Sequence, residues 1–113
     1  MKLELARSTD CFEFSKAVEE HLNKKDIDSD ECFAFCFSSI LKERVVLSRL
    51  RKKINGFSIV RSFIRPDGIT LELYMLHGNE ETQKKLIEDF RNYAKSYGCK
   101  NIVLSHNNIV ERI

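Results

Sequence analysis

Residues 74–90 read YMLHGNEETQKKLIEDF, a β-favouring run that passes through one glycine straight into a helical pattern. Upstream, ITLELYML (69–76) alternates, with Ile69, Leu71, Leu73 and Met75 on one face and Thr70, Glu72 and Tyr74 on the other. Downstream, Gly78 and Asn79 open a helix expected over about residues 80–97, with Glu80 and Glu81 suited to its positive end. Leu86, Ile87, Phe90, Tyr93, Ala94 and Tyr97 form its apolar stripe, and Gly98 stands at the C′ position. KNIVLSH (100–106) follows as an apolar strand suited to a parallel neighbour. A strand, a glycine and a helix start can turn backbone N–H groups toward a phosphate, so this stretch is a candidate anion cradle.

Working toward the N-terminus, FSIVRSFIR (57–65) is a second alternating run, joined to the first by Pro66-Asp67-Gly68. Proline fixes φ, the aspartate bonds onward to backbone and the glycine supplies the left-handed residue, which predicts a β-hairpin. KLELAR (2–7) reads as a short first strand, and Asp10 with Glu13 approximates a capping box for a helix carrying Phe14, Ala17, Val18 and Leu22. NKKDIDSD (23–30) reads as a polar loop. CFAFCF (32–37) fits either a buried strand, through Phe33, Phe35 and Phe37, or a buried helical turn, through Phe33, Phe37, Ile40 and Leu41. A strand over about 32–38 is preferred, then a turn, then a second strand or short helix around 44–51.

At 113 residues, with 42% hydrophobic and 32% charged side chains, the chain is expected to form a single domain spanning residues 1–113. A formal charge of +2 argues against a large field for nucleic acid or an anionic membrane. No long apolar run or export signal is evident, which predicts a cytoplasmic protein with reduced thiols and no membrane contact. Cys11, Cys32, Cys36 and Cys99 lack the paired C-x2-C spacing of a zinc site, so no metal is expected and they read as small core residues. The basic cluster RLRKK (49–53) reads as solvated surface, with phosphate binding as the sharper alternative. His77 and His106 would meet at one end of the sheet, where open α/β sheets take ligands.

The order of elements, together with LYMLHGNEETQKKLIEDFRNYAKSYGCKNIVLSHNN (73–108), resembles the central part of the GNAT superfamily of N-acetyltransferases. The resemblance implies an α/β (α+β) fold: a mixed central sheet with a β-hairpin and a long amphipathic helix. A ferredoxin-like βαββαβ arrangement is the alternative. For an active member it further implies acetyl-CoA as cofactor, held near Leu76, Gly78 and Asn79 and near Asn107 and Asn108, with Glu72 as the base. The family's Q/R-x-x-G-x-G/A loop is replaced here by LHGNEETQ, which has one glycine, no arginine and two glutamates. The family's acid tyrosine and closing C-terminal elements have no counterpart before Ile113, so the chain resembles a degenerate, C-terminally truncated member.

These features predict a catalytically silent module with no cofactor and no catalytic residue. It would act as a structural or protein-binding component of a larger assembly, for example as a phage virion or accessory protein. An active N-acetyltransferase with an atypical loop is the first alternative. The second is a nucleic-acid-binding ferredoxin-like domain, since NGFSIVRSF (55–63) partly matches an RNA-recognition pattern at Gly56, Phe57 and Val60. Phe57 and Phe63 read first as core.

Overall fold

The protein was described from a computed structural model covering residues 1–23, 27–105 and 109–112, the last four as backbone. The chain runs β1 (Lys2–Leu5), α1 (Cys11–Leu22), α2 (Ser29–Lys42), β2 (Arg44–Leu50), β3 (Lys53–Arg65), β4 (Gly68–His77), α3 (Glu80–Tyr97), β5 (Asn101–Leu104) and β6 (Ile109–Arg112). The sheet follows chain order from β1 to β6. All neighbours are antiparallel except β4 and β5, which α3 joins as a parallel crossover. This arrangement confirms the mixed α+β sheet and excludes the ferredoxin-like alternative.

Two helix layers cover the two faces. On one, Leu86, Phe90 and Ala94 of α3 pack on Val46, Val60, Leu71, Leu73, Leu76, Ile102 and Leu104. Each large side chain buried there contributes about 1.5–3 kcal/mol. On the other, Phe14 and Val18 of α1 and Cys32 and Cys36 of α2 cover Val45, Leu47, Phe57 and Ile59. The hairpin and the long helix form as the sequence predicts. Asn79 caps α3 by accepting from the Thr82 N–H, and Gly98 ends it at φ 76°.

The middle segment departs from expectation. Residues 32–38 are helical rather than extended, while the second strand expected around 44–51 is β2. Asp28 caps α2 by accepting from the N–H groups of Asp30 and Glu31, and those two acids sit in its first turn. The buried side of α2 is its small-residue side, Cys32, Cys36 and Ser39, whereas Phe33, Phe37 and Leu41 are exposed. The Cys32 thiol donates to the Ser15 carbonyl and the Cys11 thiol to the Phe33 carbonyl, so each helix touches the other's backbone. Bulky phenylalanines at those positions would hold the helices apart.

Residues Ile109–Arg112 form β6, antiparallel to β5. Two smaller expectations also change. Met75 leaves the Leu71–Leu73 face because β4 carries a bulge: Val60 pairs with Leu73 but Ile59 with Met75, leaving Tyr74 as the extra residue. Phe57 is fully buried against Phe14, as core, but Phe63 is 40% exposed.

Candidate functional site

Strands β4 and β5 pair only from Thr70–Asn101 to Leu73–Leu104, closed by the Ser105 N–H donating to the Leu73 carbonyl at 3.2 Å. Residues 74–77 of β4 run on past that point to the start of α3. The C-terminal ends of parallel strands beside a helix N-terminus are where open α/β sheets place ligands.

At the parting point the half-buried Glu72 carboxylate accepts a short hydrogen bond from the Ser105 hydroxyl. Glu72 lies opposite Arg61 of β3. The Arg61 guanidinium sits 3.5 Å from the Tyr74 ring centroid and donates to Glu43 at 3.0 Å. The cation is thus shared between an aromatic face and a carboxylate at the bulge.

The β4–α3 connection is short. Strand ends at His77, helix begins at Glu80, and only Gly78 and Asn79 lie between. Gly78, at φ 138°, is held by the Gln83 side-chain amide donating to its carbonyl at 2.7 Å. A Cβ on Gly78 would lie 2.8 Å from Thr82 Cγ2, and one on Gly56 would lie 2.5 Å from the same methyl. Buried Thr82 therefore packs where two glycines leave room, locking the helix start against β3. The Asn79 side chain takes the Thr82 N–H at 2.8 Å, and Glu80 and Glu81 carry negative charge in the same turn. Lys84 pairs with Glu80 at 3.6 Å, both well exposed.

Of the expected site residues, Gly78 and Asn79 form this connection, and Glu72 sits upstream in the middle of β4. Leu76 points into the α3 core, 6% exposed. Asn107, Asn108 and His106 lie outside the described residues. His77 instead meets His21, near the end of α1, with Nδ1 atoms 3.2 Å apart. Burial, and then the neighbouring His77, lowers the His21 pKa below its ordinary value. Sequence reasoning missed Arg61, though the Pro66-Asp67 turn sets a register that pairs it with Glu72. It also missed Tyr74, Ser105 and His21, which depend on the bulge and on how α1 crosses the sheet.

The basic cluster is exposed surface at Arg51, Lys52 and Lys53, as expected, but Arg49 is not. Arg49 is bound by Glu4 at 2.6 Å, Glu13 at 2.8 Å and Asp10 at 3.0 Å. Arg51 and Lys52 hold the left-handed β2–β3 turn, at φ 54° and 70°. Arg49 is thus a structural hub, and the phosphate-binding alternative loses its central cation to three carboxylates.

No family model matches the sequence, and no curated protein matches it. Solved structures do match. A ribosomal-protein-alanine N-acetyltransferase from Brucella melitensis biovar Abortus 2308 is 14% identical, with a TM-score of 0.76 over 91% of this chain and 77% of that one. An acetyltransferase from Vibrio fischeri is 16% identical, with a TM-score of 0.70 over 98% of this chain and 100% of that one. An integron cassette protein from the mobile metagenome of Cole Harbour Salt Marsh is 8% identical, with a TM-score of 0.79 over 88% and 74% of the two chains. The chain has the GNAT-like acetyltransferase fold.

Proposed function

We propose that this chain is a catalytically silent acetyltransferase-fold module that acts through contact with another protein. The observation that carries this is the β4–α3 connection, where a coenzyme pyrophosphate would have to dock. It has two residues, its cap already occupies the Thr82 N–H, and Glu80 and Glu81 stand in the first turn. At ~4 Å and surface-like dielectric each carboxylate would oppose a phosphate by roughly 1 to 4 kcal/mol. Exposed Phe33, Phe37 and Leu41, spaced four apart on α2, supply apolar area suited to a protein partner. Calorimetric titration with acetyl-CoA and with coenzyme A tests the silent state. No heat of binding at millimolar ligand is expected; micromolar affinity with acetyl transfer to an amine would overturn the proposal.

A second reading, an active N-acetyltransferase with an atypical loop, is favoured by the Glu72–Ser105 contact at the parting of β4 and β5. There Glu72 would accept a proton from an acceptor amine, and acetyl-CoA would supply the acyl group. The same titration separates the two, because the enzyme requires saturable acetyl-CoA binding that Glu72→Gln leaves intact while abolishing transfer.

A further inference from the structure

Two histidines far apart in sequence meet edge to edge at one end of the sheet. His21 lies in the last turn of α1 and His77 is the final residue of β4. Their Nδ1 atoms are 3.2 Å apart, with the rings crossed at 84°. Phe57 backs both rings, stacked on His77 at 5.2 Å and edge-on to His21 at 5.7 Å. Both histidines are half-buried and keep some surface in solvent.

Two rings meeting through Nδ1 make at most one hydrogen bond, an N–H donating to a lone pair. If both protons move to Nε2, two lone pairs face one gap, an arrangement that a cation stabilises. With metal–nitrogen bonds of about 2.0–2.1 Å, two ligands on a tetrahedral ion lie roughly 3.3 Å apart. At a right angle they would lie about 2.9 Å apart, by the same bond lengths. The observed 3.2 Å separation falls between the two.

We propose that His21 and His77 form a two-histidine site for a late first-row divalent ion, Zn(II), Ni(II) or Cu(II). Imidazole nitrogen suits these ions, whereas Mg(II) and Ca(II) require oxygen ligands. Among the described residues no cluster of three or more His, Cys, Asp or Glu surrounds an ion position. Water therefore completes the coordination, and binding is weaker than at a closed structural site. The ion ties the end of α1 to the strand end that leads into Gly78.

The test uses the purified protein, stripped by chelation and titrated at neutral pH with ZnCl2, NiCl2 and CuCl2, with MgCl2 for comparison. One ion per chain is expected, with no response to MgCl2. Both His21→Gln and His77→Gln should weaken binding at least about tenfold and remove the metal-induced rise in Tm. In the unmutated protein, substoichiometric Cu(II) should broaden the His21 and His77 ring resonances first, a readout independent of how the variants fold. Absence of binding, an equal response to MgCl2, or unchanged affinity in either paired variant overturns the site.

Discussion

The Ser105 hydroxyl donates to the Glu72 carboxylate where β4 and β5 part, joining the first residue after β5 to the middle of β4. Four pairs of parallel ladder precede that point, from Thr70–Asn101 to Leu73–Leu104. A hydrogen bond to a charged acceptor contributes about 1.5–3 kcal/mol when partly shielded. Ser105→Ala should therefore lower stability by about 1–2 kcal/mol, read as a fall in denaturant midpoint with an unchanged slope. Glu72→Gln, which keeps an acceptor, should lose less. Equal losses would show that charge, rather than the hydrogen bond, holds the junction.

Gly56 and Thr82 are in contact so close that no side chain fits between them. A Cβ on Gly56 would stand 2.5 Å from Thr82 Cγ2 and 2.6 Å from the His77 carbonyl oxygen. Gly56→Ala should cost about 1–3 kcal/mol, as overpacking does in a filled core. Adding Thr82→Ser removes the methyl but not the backbone oxygen, so it should restore only part of the loss. Chemical denaturation of the single and double variants measures this; full rescue would mean that the methyl alone sets the constraint.

How much was legible follows from which forces act locally. The Pro66-Asp67-Gly68 turn, the Asn79 cap and the Gly98 stop are local devices, and they set β4, α3 and the end of β3 within a residue, whereas β3 begins at Lys53 rather than at the expected Phe57. CFAFCF was misread because its most apolar residues are not its most buried ones. Close packing of α1 on α2 selects small Cys32, Cys36 and Ser39 for the interface and leaves Phe33 and Phe37 outside. The Asp28 cap was present in the sequence beside the helical spacing of Phe33, Phe37, Ile40 and Leu41. The Tyr74 bulge, the Glu72–Ser105 bond and the His21–His77 pair are tertiary, set by how distant elements cross, and no local pattern encodes them.

Arg49 holds three carboxylates in place, its side chain only 16% exposed and bonded also to the Lys52 carbonyl. Removing it leaves Glu4, Asp10 and Glu13 facing one another without a counter-charge. Arg49→Ala should cost about 2–4 kcal/mol, near the range for breaking a shielded ion pair. Added salt should recover part of that loss by screening the stranded carboxylates. Arg49→Lys should recover little, since one ammonium cannot reproduce the guanidinium's fork. Thermal denaturation at low and high salt distinguishes this hub from a solvated surface arginine, whose removal would leave Tm almost unchanged.

The thiols set an alkaline limit. Burial raises the pKa of Cys11 and Cys99, and burial with Cys32 alongside pushes Cys36 from an ordinary 9.0 up to about 12. A raised folded-state pKa means that the native chain holds protons the unfolded chain releases. The resulting stability is complete below the unfolded value and is lost as pH rises through the folded one. Stability should therefore fall from about pH 9 upward, steeply enough to separate denaturant midpoints at about pH 8 and about pH 10.5. Cys36→Ala should flatten that slope, because it removes the thiol with the largest rise. The same burial should keep the native thiols slow toward a disulfide reagent near neutral pH, with reaction following unfolding. Rapid labelling of Cys36 in the folded protein, or an unchanged alkaline slope in Cys36→Ala, would contradict the buried thiol pair between α1 and α2.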